Sequence, residues 1–148
     1  LYAMTLLPSS KSLATTQFKP RIESNRLFRE NPGAILEFPY MASNYTYVQQ
    51  IYHGQPLFGG MGFDTVRPIE HKRYAVLQPA IQIIEDVFTT SSFNQTLQLE
   101  ERKYLIQDGF RWIVIYPEFT TMPLERWEHF LGVDGKDIVS EKLWMFKL

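Results

Sequence analysis

Apolar residues fall in short blocks along this chain, separated by polar stretches with proline at their borders, and the spacing within each block assigns it an element. From Ile22 to Glu30, Ile22, Arg26, Leu27 and Glu30 recur at helical intervals, and Asn31-Pro32-Gly33 closes the segment with a turn. Ala34-Ile35-Leu36-Glu37-Phe38, stopped by Pro39, reads as a buried strand. Ser43 is suited to cap the next helix, which places Val48, Ile51 and Tyr52 on one face and ends at His53-Gly54, ahead of Pro56. After a glycine-rich loop at Gly59-Gly60-Met61-Gly62, the apolar positions Ile69, Ala75, Leu77, Ile81, Ile84 and Phe88 predict a helix that Pro79 kinks or splits. Residues 89–96 form a polar loop, and residues 97–107 are rich in helix formers up to a stop at Asp108-Gly109. Residues 110–116, β-branched and aromatic, form the clearest strand and end at Pro117. Thr121 and Pro123 open a helix with Leu124, Trp127, Phe130 and Leu131 as its apolar stripe and Gly132 as its stop, and residues 143–148 read as a final strand.

Helices alternating with these strands indicate an α/β fold: a small, mainly parallel sheet covered by helices, a Rossmann-like three-layer arrangement in a single domain over residues 21–148. The segment from Arg111 to Leu148 is expected to be a right-handed crossover between parallel strands. Residues 1–20 stand apart. Leu1 to Leu7 is apolar at six of seven positions, and residues 8–20 are polar and proline-bounded, which suits an extended arm or linker. Seven residues are too short to span a bilayer, which takes about 20. The opening block therefore reads as an edge strand or as the last turns of a preceding membrane helix.

Composition narrows the function. The 148 residues suffice for one domain, and 15% aromatics can fill its core. A formal charge of −1, from 15 basic and 16 acidic residues, provides no basic face for nucleic acid. The absence of Cys excludes a disulfide framework and thiolate metal sites. Gly60-x-Gly62 follows a helix and lacks a third glycine in register, so it is a turn and not a dinucleotide loop, and no cofactor is expected. Nor is a metal: His53, His71 and His129 are far apart, and Glu125 and His129 share a helix face with no third ligand. Asn44-Tyr45-Thr46 and Asn94-Gln95-Thr96 match the glycosylation acceptor pattern, a short signal that arises often by chance.

The candidate chemistry lies where the two strongest strands end. Glu37 interrupts an apolar strand near its carboxyl end, and Glu118 follows the strand closed by Pro117. If those strands are neighbours, Glu37, Tyr40, Glu118 and His53 could face one crevice, and a carboxylate pair there could perform acid–base chemistry on a sugar. The bland alternative leaves Glu37 facing solvent or paired with Arg111. His53 sits at a helix carboxyl terminus, where the dipole favours its protonated form, with capping or packing as the simpler role.

Two stretches carry a resemblance. Asn31-Pro32-Gly33-Ala34-Ile35-Leu36-Glu37-Phe38-Pro39 with residues 47–60, Tyr47 through His53-Gly54-Gln55-Pro56 to Gly60, form the first. Residues 105–117 with the final strand form the second. Together they resemble the C-terminal extracytoplasmic domain of bacterial polytopic membrane proteins similar to the C-type glycosyltransferase superfamily. The chain departs from that pattern at Tyr116-Pro117, where relatives often place His before the proline, so a role for that His does not transfer. The resemblance implies an extracytoplasmic domain whose partner is the membrane part of the same polypeptide, with Leu1–Leu7 as the exit of the last membrane helix. It also implies that the superfamily's catalytic acid, which acts with a polyprenyl-phosphate sugar donor, lies outside this chain. The domain would then be non-catalytic, positioning a glycan or lipid-linked acceptor or stabilising the membrane part, with Tyr40, His53, Gln55 and Gly60 as candidate ligand contacts. Two other classes remain open: a stand-alone α/β enzyme using Glu37 and Glu118 on a carbohydrate-like substrate, and a protein-interaction module with aromatic anchors.

Overall fold

The structure, a computed structural model, describes residues 20–39, 45–58 and 74–148. Leu1–Leu7, most of the arm up to residue 20, Ser43 and the Gly59–Gly62 loop lie outside the described residues. Five strands form one sheet: β1 (Ala34–Phe38), β2 (Leu57–Phe58), β3 (Phe110–Ile115), β4 (Gly135–Ile138) and β5 (Leu143–Lys147), in the order β2-β1-β3-β5-β4. β1 runs parallel to both β2 and β3, while β5 pairs antiparallel with β3 and with β4. Four strands therefore point one way and β5 alone is reversed.

The period of two along each strand explains why helices cover both faces. Leu36, Phe38, Ile113, Ile115 and Phe146 pack on one face with Ile81 and Ile84 of α3 (Pro79–Thr90), Leu105 of α4 (Leu99–Gln107), and Trp127 and Phe130 of α5 (Leu124–Leu131). Ile35, Trp112, Val114 and Met145 point the other way, onto Phe28 of α1 (Ile22–Glu30), beside which lies α2 (Tyr45–His53). The class is α/β with a single sheet, as the pattern of elements indicates. Pro79 splits the helical segment as expected: residues 74–77 are helical, Gln78 is extended, and Pro79 occupies the first turn of α3.

The chain runs from β1 through α2 to β2. It then recrosses by α3 and α4 to β3, on the opposite side of β1. Successive connections leave β1 in opposite directions, so the carboxyl ends of β1 and β3 flank a switch point.

One expectation fails. Residues 111–148 do not form a simple crossover between parallel neighbours. β3, α5 and β4 make a split β-α-β unit, and β5 returns into the gap between the two strands. The reversal comes at Val139–Glu141, a 3-10 turn ended by Lys142 in the left-handed conformation (φ 54°). That turn also holds the other layer in place. The Glu141 carboxylate accepts from the backbone N–H groups of Glu23 (2.8 Å) and Ser24 (3.1 Å), capping α1 from across the sheet. At the far end of α1, the Trp112 indole N–H donates to the Asn31 carbonyl at 2.9 Å.

Ile113, fully buried at the centre of the sheet between β1 and β5, tests this packing. Ile113→Ala is expected to destabilise the domain by roughly 3 kcal/mol, read as a lower urea midpoint at unchanged slope.

Candidate functional site

At the switch point the strand period puts Glu37 on the same face as Ile35, towards α1 and α2, with 4% of its surface exposed. A carboxyl group carried into an apolar layer needs hydrogen-bond partners, because its transfer out of water is costly without them. Tyr116, the residue after β3, supplies one: its hydroxyl donates to Glu37 Oε1 at 3.0 Å. The same hydroxyl accepts from the Arg21 guanidinium at 3.0 Å, and that guanidinium also lies 5.2 Å over the phenol ring. Arg21 precedes the first turn of α1, and its backbone N–H donates to Gln49 Oε1 on α2 at 2.9 Å. Buried Asn25 adds a second donor to that oxygen at 2.8 Å. A chain of polar groups thus joins α2, α1, β3 and β1.

As folded, these groups hold structure together. Tyr116 is 2% exposed, so both side chains of the Glu37–Tyr116 pair are enclosed. Glu118 has different surroundings. It stands exposed in the 3-10 turn Pro117–Phe119. β1 and β3 are neighbours, as the carboxylate-pair idea required, but one carboxyl is enclosed with a phenol and the other is in water. The expected alternative partner, Arg111, lies elsewhere: it occupies an irregularity in the β1–β3 register at the opposite end of the strands and is exposed.

His53 and Gln55 come together at the amino end of the sheet, away from the crevice. Gly54, at φ 70°, ends α2, with its N–H donating to the Gln50 carbonyl at 2.7 Å. Gln55 then folds back: its N–H donates to His53 Nδ1 and its side-chain amide to the His53 carbonyl, both at 3.0 Å. Its Oε1 accepts from Gly33 N–H at 2.9 Å, tying this turn to the start of β1. The His53 ring is buried edge-on to Phe28, 5.0 Å between centroids. The expectation that the helix dipole favours protonated His53 is overturned. Burial, reinforced by the positive charge of Arg29, lowers its pKa to about 4, and neutral Nδ1 is the acceptor that the Gln55 N–H requires. Tyr40 and Gly60 lie outside the described residues.

Arg21, Asn25, Gln49 and Tyr116 complete the network without standing out as sites in the sequence. The available signal was the departure at Tyr116, a polar aromatic at the end of an apolar strand two positions from the register partner of Glu37. Among the described residues, no three His, Asp or Glu side chains converge as a metal site requires. No family model matches the chain, and no curated protein or solved structure matches it either.

Gln49 carries the junction of the two helices. Gln49→Leu leaves the Arg21 N–H and the Asn25 amide without their acceptor and is expected to cost about 2–3 kcal/mol in urea unfolding. For His53 the sign follows from its lowered pKa: as pH falls, the unfolded chain takes the proton first, near 6.5. The stability contributed by neutral His53 is therefore complete above that value and is lost progressively as pH falls towards about 4. Melting temperature is expected to fall more steeply over this window in the wild type than in His53→Gln, and equal slopes would contradict the assignment.

Proposed function

We propose that this chain is a non-catalytic, extracytoplasmic accessory domain of a membrane-embedded glycosyltransferase-like protein, positioning an acceptor or bracing the membrane part. One observation carries the reading. The polar residues of the resembling segments, Glu37, Gln49, His53 and Gln55, are engaged in hydrogen bonds that join α1, α2 and the sheet. Such residues define a scaffold, and their recurrence in a motif follows from the fold they build, without a reaction.

The enzyme reading needs Glu37 and Glu118 at one accessible cavity, and the enclosure of Glu37 weighs against it. The membrane reading places the anchor in the rest of the parent polypeptide. Among the described residues, no helix is long and apolar enough to cross a bilayer.

Fractionation of cells expressing the parent gene tests the proposal. The protein is expected to stay in the membrane pellet through alkaline carbonate and to leave it in detergent, and protease added outside intact spheroplasts should remove this domain. Release by carbonate, protection from external protease, or glycosyl transfer or hydrolysis by the isolated 148-residue chain would overturn it.

A further inference from the structure

The helical layer over the face of the sheet opposite the Glu37 network carries an open cavity of about 610 Å³, within the range of small-ligand sites. It lies along α3 from Gln82 onward and the loop that follows. Phe88, in the same stretch of α3, has its ring 6.1 Å from that of Phe38, which sets this end of the helix against the carboxyl end of β1.

The loop is firmly held. Ser91 takes the left-handed conformation that ends α3, its N–H donating to the Val87 carbonyl at 2.8 Å. Leu97 N–H donates to the Phe130 carbonyl at 2.8 Å, and Phe93 is wedged between the Phe130 ring, at 5.2 Å, and the Arg126 guanidinium, at 5.3 Å. Asn94 and Gln95 are thereby presented by a fixed segment to Asp86, which faces the cavity from α3. The side chains of Asp86, Asn94 and Gln95 make no hydrogen bonds among the described residues. Ile83, Val87 and Phe93 add apolar surface to the lining.

This combination has a chemical match. A carboxylate accepts two hydrogen bonds, and each amide offers a donor and an acceptor, a set that pairs with neighbouring hydroxyls. The apolar surface suits the C–H face of a sugar ring. Among the described residues of the lining, Asp86 is the only ionisable side chain, too few for a cation site and of the wrong sign for a phosphate. We propose that this cavity binds a neutral saccharide. The assignment rests on the accessory-domain reading and deepens it, naming what the domain positions.

Titration of the 148-residue chain, labelled with nitrogen-15, tests it by amide shifts. The probes are the methyl glycosides of glucose, mannose, galactose and N-acetylglucosamine, with glucose 1-phosphate as a charged arm. At least one glycoside is expected to saturate with a dissociation constant of about 1 mM, shifting amides of residues 82–95 and binding more tightly than the sugar phosphate. Asp86→Ala and Asn94→Ala replace exposed side chains, so both should keep the wild-type spectrum elsewhere and weaken binding at least about tenfold. Absence of saturation by about 50 mM for every glycoside, shifts centred elsewhere, unchanged affinity in the variants, or preference for the phosphate would overturn the proposal. This readout is independent of where the parent protein resides, so its failure is distinct from failure of the membrane assignment.

Discussion

A carboxyl group that enters an apolar layer must bring its partners with it, and the α1–α2 side of this domain is organised around that requirement. Glu37 sits among Ile35, Val114 and Met145, and the hydroxyl of Tyr116 reaches it from the next strand. The phenol in turn takes a hydrogen bond from Arg21, so the residue that opens α1 is fixed over the end of the sheet. Gln49 then collects the backbone of Arg21 and the amide of Asn25, which sets α2 beside α1. Apolar burial alone would press these helices onto the sheet without choosing their register. Directional hydrogen bonds with poor alternatives choose it.

The two faces consequently differ in what they offer to solvent. On the α1–α2 face the polar groups at the switch point are joined to one another, with the Tyr116 hydroxyl held between Glu37 and Arg21 where many α/β proteins bind ligands. On the α3–α5 face the layer is built from Ile81, Ile84, Trp127 and Phe130, with polar side chains left for the rim of its cavity. Linked polar groups on one face and uncommitted ones at the cavity on the other are what the proposed positioning role rests on.

What could be read from the sequence follows from which forces are local. β1 and β3 were legible because both of their faces are buried, which leaves continuous apolar runs, and the stops at Gly54, Pro79 and Gly132 follow from backbone chemistry at single residues. β2 has two residues and no period to detect, and β4 is the polar edge segment Gly-Lys-Asp-Ile. The reversal of β5 turns on Lys142 in a left-handed conformation, which a lysine does not announce. Glu37 was conspicuous as a carboxylate in an apolar strand, but it reaches Arg21 only through Tyr116, 79 residues from one and 95 from the other, a juxtaposition no local pattern announces. His53 shows the limit of a local rule: the helix dipole alone favours a cation, and burial against Phe28 with Arg29 nearby outweighs it.

A double-mutant cycle between Glu37→Leu and Tyr116→Phe, measured by urea unfolding, asks most directly whether this buried pair organises the layer. Strong coupling of about 1–3 kcal/mol is the predicted result, with the double variant less destabilised than the two single changes together, because each single change takes a hydrogen-bond partner from the other's buried polar group. Additive losses, with no coupling between the two positions, would contradict the account.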